Sequence, residues 1–296
     1  METITFTCQV ITPMFLAGAD GQTPELRAPS IKGAMLFWWR ALNGHLVNPT
    51  KGQWDYKDIR EKETDFFGGT QNGGRSKFSL QIRQPVDRFS VKKKLVPHDS
   101  NKGMKGAFEP HKQAFELIIR CQSKDKEKLQ ALFTLTSVLG SVGKRSRRGM
   151  GAFSIEKVMD ENSEVNNMYP DDIEALLRLI NMIGDVDSFK KQGANKIVNR
   201  LETRPDFPFI REIQWGKPDS NILLKISQTT HELKKANPES YEPSLGHASR
   251  GRFASPMYAS VVKGNIPVVT TLNTVPNRDK YKIDTNLQNE FKSRIL

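Results

Sequence analysis

Between residues 2 and 158 the apolar residues recur with two different periods, and the order in which those periods alternate restricts the fold more than any other feature of the chain. Ile4, Phe6, Cys8 and Val10 alternate with Thr3, Thr5, Thr7 and Gln9, the period of a strand with one buried and one polar face. From Ser30, read as an N-cap, Ile31, Ala34, Met35, Trp38, Ala41 and Leu42 gather on one face of a helix. Alternation returns at Phe78, Leu80 and Ile82, and again at Phe115, Leu117, Ile119 and Cys121. A second helix follows Ser123, with Asp125 and Glu127 in its first turn and Leu129, Leu132, Phe133, Thr136 and Leu139 on one face, and it ends at Gly140. Phe153 and Ile155 supply a last strand. The order βαββαβ predicts an α+β fold of the ferredoxin-like (RRM-like) type, with both helices on one face of the sheet.

RNA-recognition motifs share this topology and stack bases on aromatics of the open sheet face. Here the outward positions are Thr, Ser, Gln, Glu and Arg, which supply no stacking platform. Residues 92–113, rich in Lys, Gly, Pro and His, read as a long exposed loop. Residues 159–170 read as a polar linker. Beyond it, a helix at 171–183, a strand at 207–215, a helix at 219–235 and strands at 253–262 and 266–272 predict a second, degenerate ferredoxin-like domain over 171–296, with 236–252 loop-like. The chain is long enough for such a tandem, with the first domain at 1–158.

The 45 Lys and Arg outnumber the 33 Asp and Glu, for a net charge of +12 that favours polyanionic partners, nucleic acid first. Cys8 and Cys121 both occupy apolar strand positions, so no disulfide framework or zinc site is predicted. No apolar run reaches membrane-spanning length, and the N-terminus opens on a strand instead of a secretory signal, which predicts a soluble cytoplasmic chain.

The strongest local motif runs from Gly140 to Gly151 and places Lys144, Arg145, Arg147 and Arg148 among Gly140, Gly143, Gly149 and Gly151. Glycines let backbone N–H groups turn toward an anion, and guanidinium forks match phosphate oxygens. A solvated basic connector is the plain alternative, but it requires neither the charge nor the glycines. The motif is not a P-loop, because it follows a helix and opens a strand. On the first helix Lys32, Leu36 and Arg40 form a stripe opposite the apolar face, with Lys32 in the first turn, where free N–H groups favour anions. Taken alone, Lys32 and Arg40 read as solvated charges. Trp38 falls on the core face, and Trp39 at its border fits either packing or stacking. The five histidines are dispersed without metal or triad spacing. His45, just past the helix, and Asp20, in a Gly18–Gly21 turn, are the two residues a metal-free ribonuclease would use, although helix-end and turn chemistry explain both.

Three of these segments together, Ser30-Ile-Lys-Gly-Ala-Met-Leu-Phe-Trp-Trp-Arg-Ala41, Phe66-Phe-Gly-Gly69 and Gly143-Lys-Arg-Ser-Arg-Arg-Gly-Met-Gly151, resemble the repeat-associated mysterious proteins (RAMPs) of CRISPR systems. Within that superfamily Ile11-Thr-Pro-Met-Phe-Leu-Ala-Gly18 and the FWWRA helix are similar to the first-subunit family of type III-B (Cmr) effector complexes. The resemblance implies tandem ferredoxin-like domains, no cofactor or metal, and no catalytic residues. It implies assembly with other Cmr subunits and binding of guide RNA and target RNA near the guide 3′ end, in antiviral defence. It carries RNA contacts onto Lys32, Arg40, Gly143, Lys144, Arg145, Arg147, Arg148, Gly149 and Gly151. Leu36 stands where the family commonly has Arg, which makes the glycine loop the main element. An endoribonuclease that processes guide precursor is the alternative.

Overall fold

The opening alternation forms strand β1 (Glu2–Val10), whose Ile4, Phe6, Cys8 and Val10 are all buried. After it come α1 (Ala28–Leu42), a hairpin of β2 (Asn48–Thr50) and β3 (Gln53–Asp55), α2 (Lys57–Phe67), β4 (Phe78–Arg83), a second hairpin of β5 (Ser90–Lys94) and β6 (Met104–Phe108), β7 (Ala114–Cys121), α3 (Ser123–Leu139), β8 (Phe153–Asp160) and the short β9 (Ser163–Glu164). The second half holds α4 (Ile173–Ile183), β10 (Phe189–Lys191), β11 (Lys196–Asn199), β12 (Ile210–Trp215), α5 (Ile222–Ala236), α6 (Pro238–Leu245), β13 (Met257–Val262), β14 (Ile266–Leu272) and α7 (Thr285–Ile295). The structure, a computed structural model, describes residues 1–50, 53–69, 74–83, 90–99, 103–161, 163–184, 186–201, 207–247, 253–273 and 283–296.

The fold is α+β, with two antiparallel five-stranded sheets ordered β4-β7-β1-β8-β9 and β10-β11-β12-β14-β13. In the first, Phe6 of β1 faces Leu117 of β7 on one side and Val158 of β8 on the other. Helix α3 lies between the sheets. Every residue from Leu129 to Leu139 is buried, because Phe133 meets Phe6 at 4.8 Å on one side while Ser260 of β13 donates to the Val138 carbonyl at 2.5 Å on the other. One hydrophobic cluster therefore contains Phe6, Leu132, Ile180, Ile213 and Val268 from both halves. A second cluster lies under α5, α6 and α7, around Ile226, Leu245, Met257 and Phe291.

Several segments differ from the sequence expectation for identifiable reasons. Helix α1 starts at Ala28, because Pro29 in the first turn presets the helical φ, and Ser30 lies inside that turn instead of capping it. Helix α2 buries only Ile59, Phe66 and Phe67, too few apolar residues to show a period. Residues 92–113 are not a loop. They contain most of the β5–β6 hairpin, in which Lys92 faces Gly106 and Lys93 faces Lys105, and its buried residues, Ala107 and Phe108, are adjacent at one end, so no alternation marks it. Its end is anchored by a pair of backbone bonds between Phe108 and Met14 at 3.0 and 3.4 Å. Strand β8 runs to Asp160, and the stretch after β9 is tied down where Gln130 and Asn167 bond the carbonyls of Asn166 and Ile155 at 2.7 and 2.8 Å. Helix α6 occupies part of the expected 236–252 loop.

Glu212 of β12 is held by Lys196 of β11 at 2.7 Å and by Lys292 of α7, itself only 7% exposed. Burial alone would raise the Glu212 carboxyl, but the bonds from Lys196 and Lys292 outweigh it and hold the group below its usual range. A depressed carboxyl stabilises the fold above its unfolded pKa and loses that contribution as pH falls through its folded one. Glu212→Gln is thus expected to melt well below wild type at pH 7, by about 3 kcal/mol for a buried lysine left without its charge partner. The gap should close in melts at pH 3; a constant gap across pH would contradict it.

Candidate nucleic-acid interface

The glycine loop joins α3 to β8 and is pinned from behind at both ends. The Lys144 and Gly151 amides donate to the carbonyls of Phe15 and Pro13 at 2.9 and 3.0 Å, and Val142 donates across the loop to Gly151 at 3.0 Å. Thr12 Oγ1 donates to the Gly149 carbonyl at 2.7 Å and accepts from the Ala152 amide at 2.9 Å. On the other side the Gly149 amide donates to Ala259 at 2.8 Å, so the loop lies along the free edge of β13. Gly143 and Gly151 have φ of +96° and +77°, and a Cβ on either would strike backbone, at 2.5 Å from the Phe15 carbonyl oxygen and 1.9 Å from that of Val142. These glycines allow the loop to close on itself and on residues 12–15.

The four cations divide by environment. The Arg148 guanidinium donates to the carbonyls of Arg147, Met257 and Leu245 at 2.8, 3.0 and 2.7 Å and to Ser255 Oγ at 3.1 Å, over the Phe291 ring. Arg147 donates to the Ser255 carbonyl and lies over the rings of Phe37 and Tyr258, at 5.3 and 5.6 Å. Both side chains bind the loop to the second half of the chain. Lys144 is exposed, and Arg145 stands at its side with a left-handed φ of +59°. Burial, and then the charge of Arg148, push the Arg145 guanidinium below its ordinary value, while burial does the same to Arg147. Such crowding of desolvated cations is relieved by an anion.

Among the described residues, two clefts are lined by the loop's cations. One, of about 590 Å³, is lined by Arg145, Arg147 and Arg148 together with Lys234, His231 and His247. His98 borders it too, its ring centroid 4.7 Å from that of His231 and its Nδ1 2.7 Å from Ser227 Oγ. The other, of about 370 Å³, brings Lys92 and Lys105 of the β5–β6 hairpin to Lys144. Sequence reasoning missed these histidines and lysines. They come from segments far apart in the chain, and no local pattern relates them.

The remaining described candidates line neither of these clefts. Lys32 donates to the Phe67 carbonyl at 2.9 Å, at the C-terminus of α2, over the Phe78 ring at 5.4 Å, and burial lowers its pKa. Arg40 is ion-paired with Glu63 of α2, a bond that raises its pKa. Trp38 and Trp39 are 1% and 3% exposed, so both are core residues. Asp20 accepts from the Gln22 and Thr23 amides at 2.9 Å each; bonds from the Thr23 hydroxyl and then these amides lower its carboxyl. His45 lines a separate cavity with Trp39 and Asp125. Of Arg250, Arg252 and Lys263, the basic residues by which the second half could also meet RNA, the two arginines lie outside the described residues and Lys263 pairs with Glu156 at 2.6 Å. Among the described residues no group of three His, Cys, Asp or Glu could hold a metal, and no helix is long and apolar enough to cross a membrane.

A chain with this loop, pinned between α3 and β8 beside a WW-bearing helix, belongs to the RAMP superfamily, whose family model matches residues 7–154. It is homologous to Cmr1 of the type III-B Cmr complex. It is 26% identical to the CRISPR system Cmr subunit Cmr1-1 of Pyrococcus furiosus over 304 aligned residues, 90% of this chain and 87% of that protein. To Cmr1-2 of the same organism it is 27% identical, over 52% of this chain and 96% of that one. The crystal structure of apo Cmr1 from Pyrococcus furiosus superposes with a TM-score of 0.63 and 20% identity, covering 100% of this chain and 97% of that one. A chain of the type III-B Cmr-beta assembly bound to cognate target RNA has the same fold, with a TM-score of 0.59, 12% identity and coverage of 99% and 98%.

Proposed function

We propose that this chain is a non-catalytic, RNA-binding architectural subunit of a type III-B CRISPR effector complex. It holds guide RNA and target RNA near the guide 3′ end, beside other Cmr subunits, in the cytoplasm. The observation that carries the reading is the loop itself: its backbone is pinned to residues 12–15 and β13, Arg147 and Arg148 fasten it, and Lys144 and Arg145 are left at the rim of two basic clefts. Phosphate contacts of this kind fix position, and base pairing with the guide supplies sequence specificity. The relatives support the assembly: two are named as Cmr subunits, and a structural neighbour belongs to a complex bound to target RNA.

We read the fold as a ferredoxin-like tandem, with a first domain over 1–158, a connection over 159–170 and a second domain over 171–296. The first sheet follows the ferredoxin strand order, its four principal strands taken in chain sequence lying as 2-3-1-4. In the second, β11-β12-β14-β13 repeats that order if β11, which precedes its partners in the chain, takes the place of a final strand after α7. A circularly permuted unit of this kind explains why its elements do not follow one another as βαββαβ.

The non-catalytic reading rests on Asp20 being occupied within its own turn and on His45 lying in a different cavity from the loop. The test is single-stranded RNA binding over a salt series with Lys144→Ala/Arg145→Ala. Affinity should fall across sequences, and the log–log salt slope should flatten by roughly 0.7 per lost phosphate contact. An unchanged slope would sink the site. Metal-free cleavage of repeat RNA in EDTA, leaving a 2′,3′-cyclic end, would favour the endoribonuclease instead.

A further inference from the structure

Phe37 is the only ring of the Phe-Trp-Trp run that is not buried, and it is also the ring beneath the Arg147 guanidinium. It forms one wall of a cavity of about 450 Å³ whose other rings are Tyr56, at the start of α2, and Phe207, before β12, with Ile59 and Pro208 completing the apolar lining. Tyr56 and Phe207 meet edge to face, with centroids 6.2 Å apart. Arg40 and Glu63 close the rim as an ion pair, with the Arg40 side chain half exposed, and Arg60 is exposed at the mouth.

We propose that this cavity takes an unstacked base of the single-stranded RNA whose phosphates lie on the glycine loop, an inference that rests on the phosphate-binding reading of that loop. Three features select an RNA base over an apolar peptide side chain. The cavity combines aromatic rings with planar guanidinium groups, and these are the two surfaces on which bases stack. It adjoins the loop through Phe37, which lines the cavity and lies beneath the Arg147 guanidinium. Finally, the outward face of the first sheet offers Thr5, Thr7, Gln81 and Glu116 in place of the aromatics that RNA-recognition motifs use. The base site thus moves from the sheet to the side of α1. Stacking tolerates any of the four bases, as suits a subunit that holds RNA of arbitrary sequence.

The test uses the full chain and single-stranded RNA carrying one 2-aminopurine, with Tyr56→Leu/Phe207→Leu beside Lys144→Ala/Arg145→Ala. Leucine keeps the apolar bulk while removing the rings, and a thermal melt confirms that the variant folds. Wild type should quench the fluorophore. The leucine variant should lose the quench and bind roughly tenfold more weakly with an unchanged salt slope, since no phosphate contact is lost. The loop variant should lose affinity and slope together. A leucine variant that quenches and binds like wild type overturns the base site even if the loop variant behaves as expected. A loop variant with wild-type affinity and slope overturns the phosphate reading, while the quench still reports on the cavity. No binding by wild type overturns both.

Discussion

Arg148→Ala is expected to lower the stability of the chain by about 3–4 kcal/mol, which for a protein of this size moves the melting temperature down by roughly 5–7 °C. The guanidinium meets the carbonyls of Arg147, Leu245 and Met257 and the Ser255 hydroxyl, and these acceptors belong to the loop, the end of α6 and the approach to β13. Alanine removes four hydrogen bonds from a charged donor, each stronger than a neutral one, although the Met257 and Arg147 carbonyls still accept from Ser255 Oγ and the Ala259 amide. It also uncovers Phe291, which the side chain covers at 5.3 Å. Arg148→Lys should recover only part of the loss, because an ammonium cannot reproduce a planar fork directed at four acceptors. Thermal melts of both variants check this. Wild-type melting of Arg148→Ala would mean that the carbonyl cage contributes nothing. Replacing Arg145, Arg147 and Arg148 together is therefore a poor probe of RNA contact, since it confounds binding with folding.

Gly151→Ala is expected to cost more, above about 4 kcal/mol, and to leave little soluble protein at 37 °C. Two effects add. The residue stands at φ +77°, where a side chain costs about 1–2 kcal/mol, and its Cβ would lie 1.9 Å from the Val142 carbonyl oxygen. That oxygen is backbone, and Val142 also donates to Gly151 at 3.0 Å, so neither partner can retreat without opening the loop and releasing the Gly151 bond to Pro13. Gly33→Ala is the matched control: a Cβ there meets nothing within 4 Å in the middle of α1, and it should stabilise by about 0.5–1 kcal/mol. Equal melting of the two variants would show that the loop accommodates a side chain.

The sequence by itself determined whatever depends on neighbours a few residues away. The two-residue period of β1 and β7 and the helical stripe of α1 are local properties, and each element appears where its period placed it; the coincidence of glycine with charge from Gly143 to Gly151 is local too. Elements without a period were not legible. The β5–β6 hairpin buries adjacent residues, Ala107 and Phe108, at one end only, and α2 buries three side chains. Helix α3 is buried all round, against α1, α4 and both sheets, so Ala131, Leu135 and Val138 are core residues outside the one apolar face its period marks.

Tertiary structure alone decided how the site divides. Lys144, Arg145, Arg147 and Arg148 are equivalent as a sequence, and only the approach of Ser255, Met257 and Leu245 from the second half turns two of them inward as fasteners. His98, His231 and His247, and likewise Phe37, Tyr56 and Phe207, meet across separations that no period records. Periodicity specifies which face a residue presents, whereas the partner of a cation or a ring is set by which distant segment packs against that face.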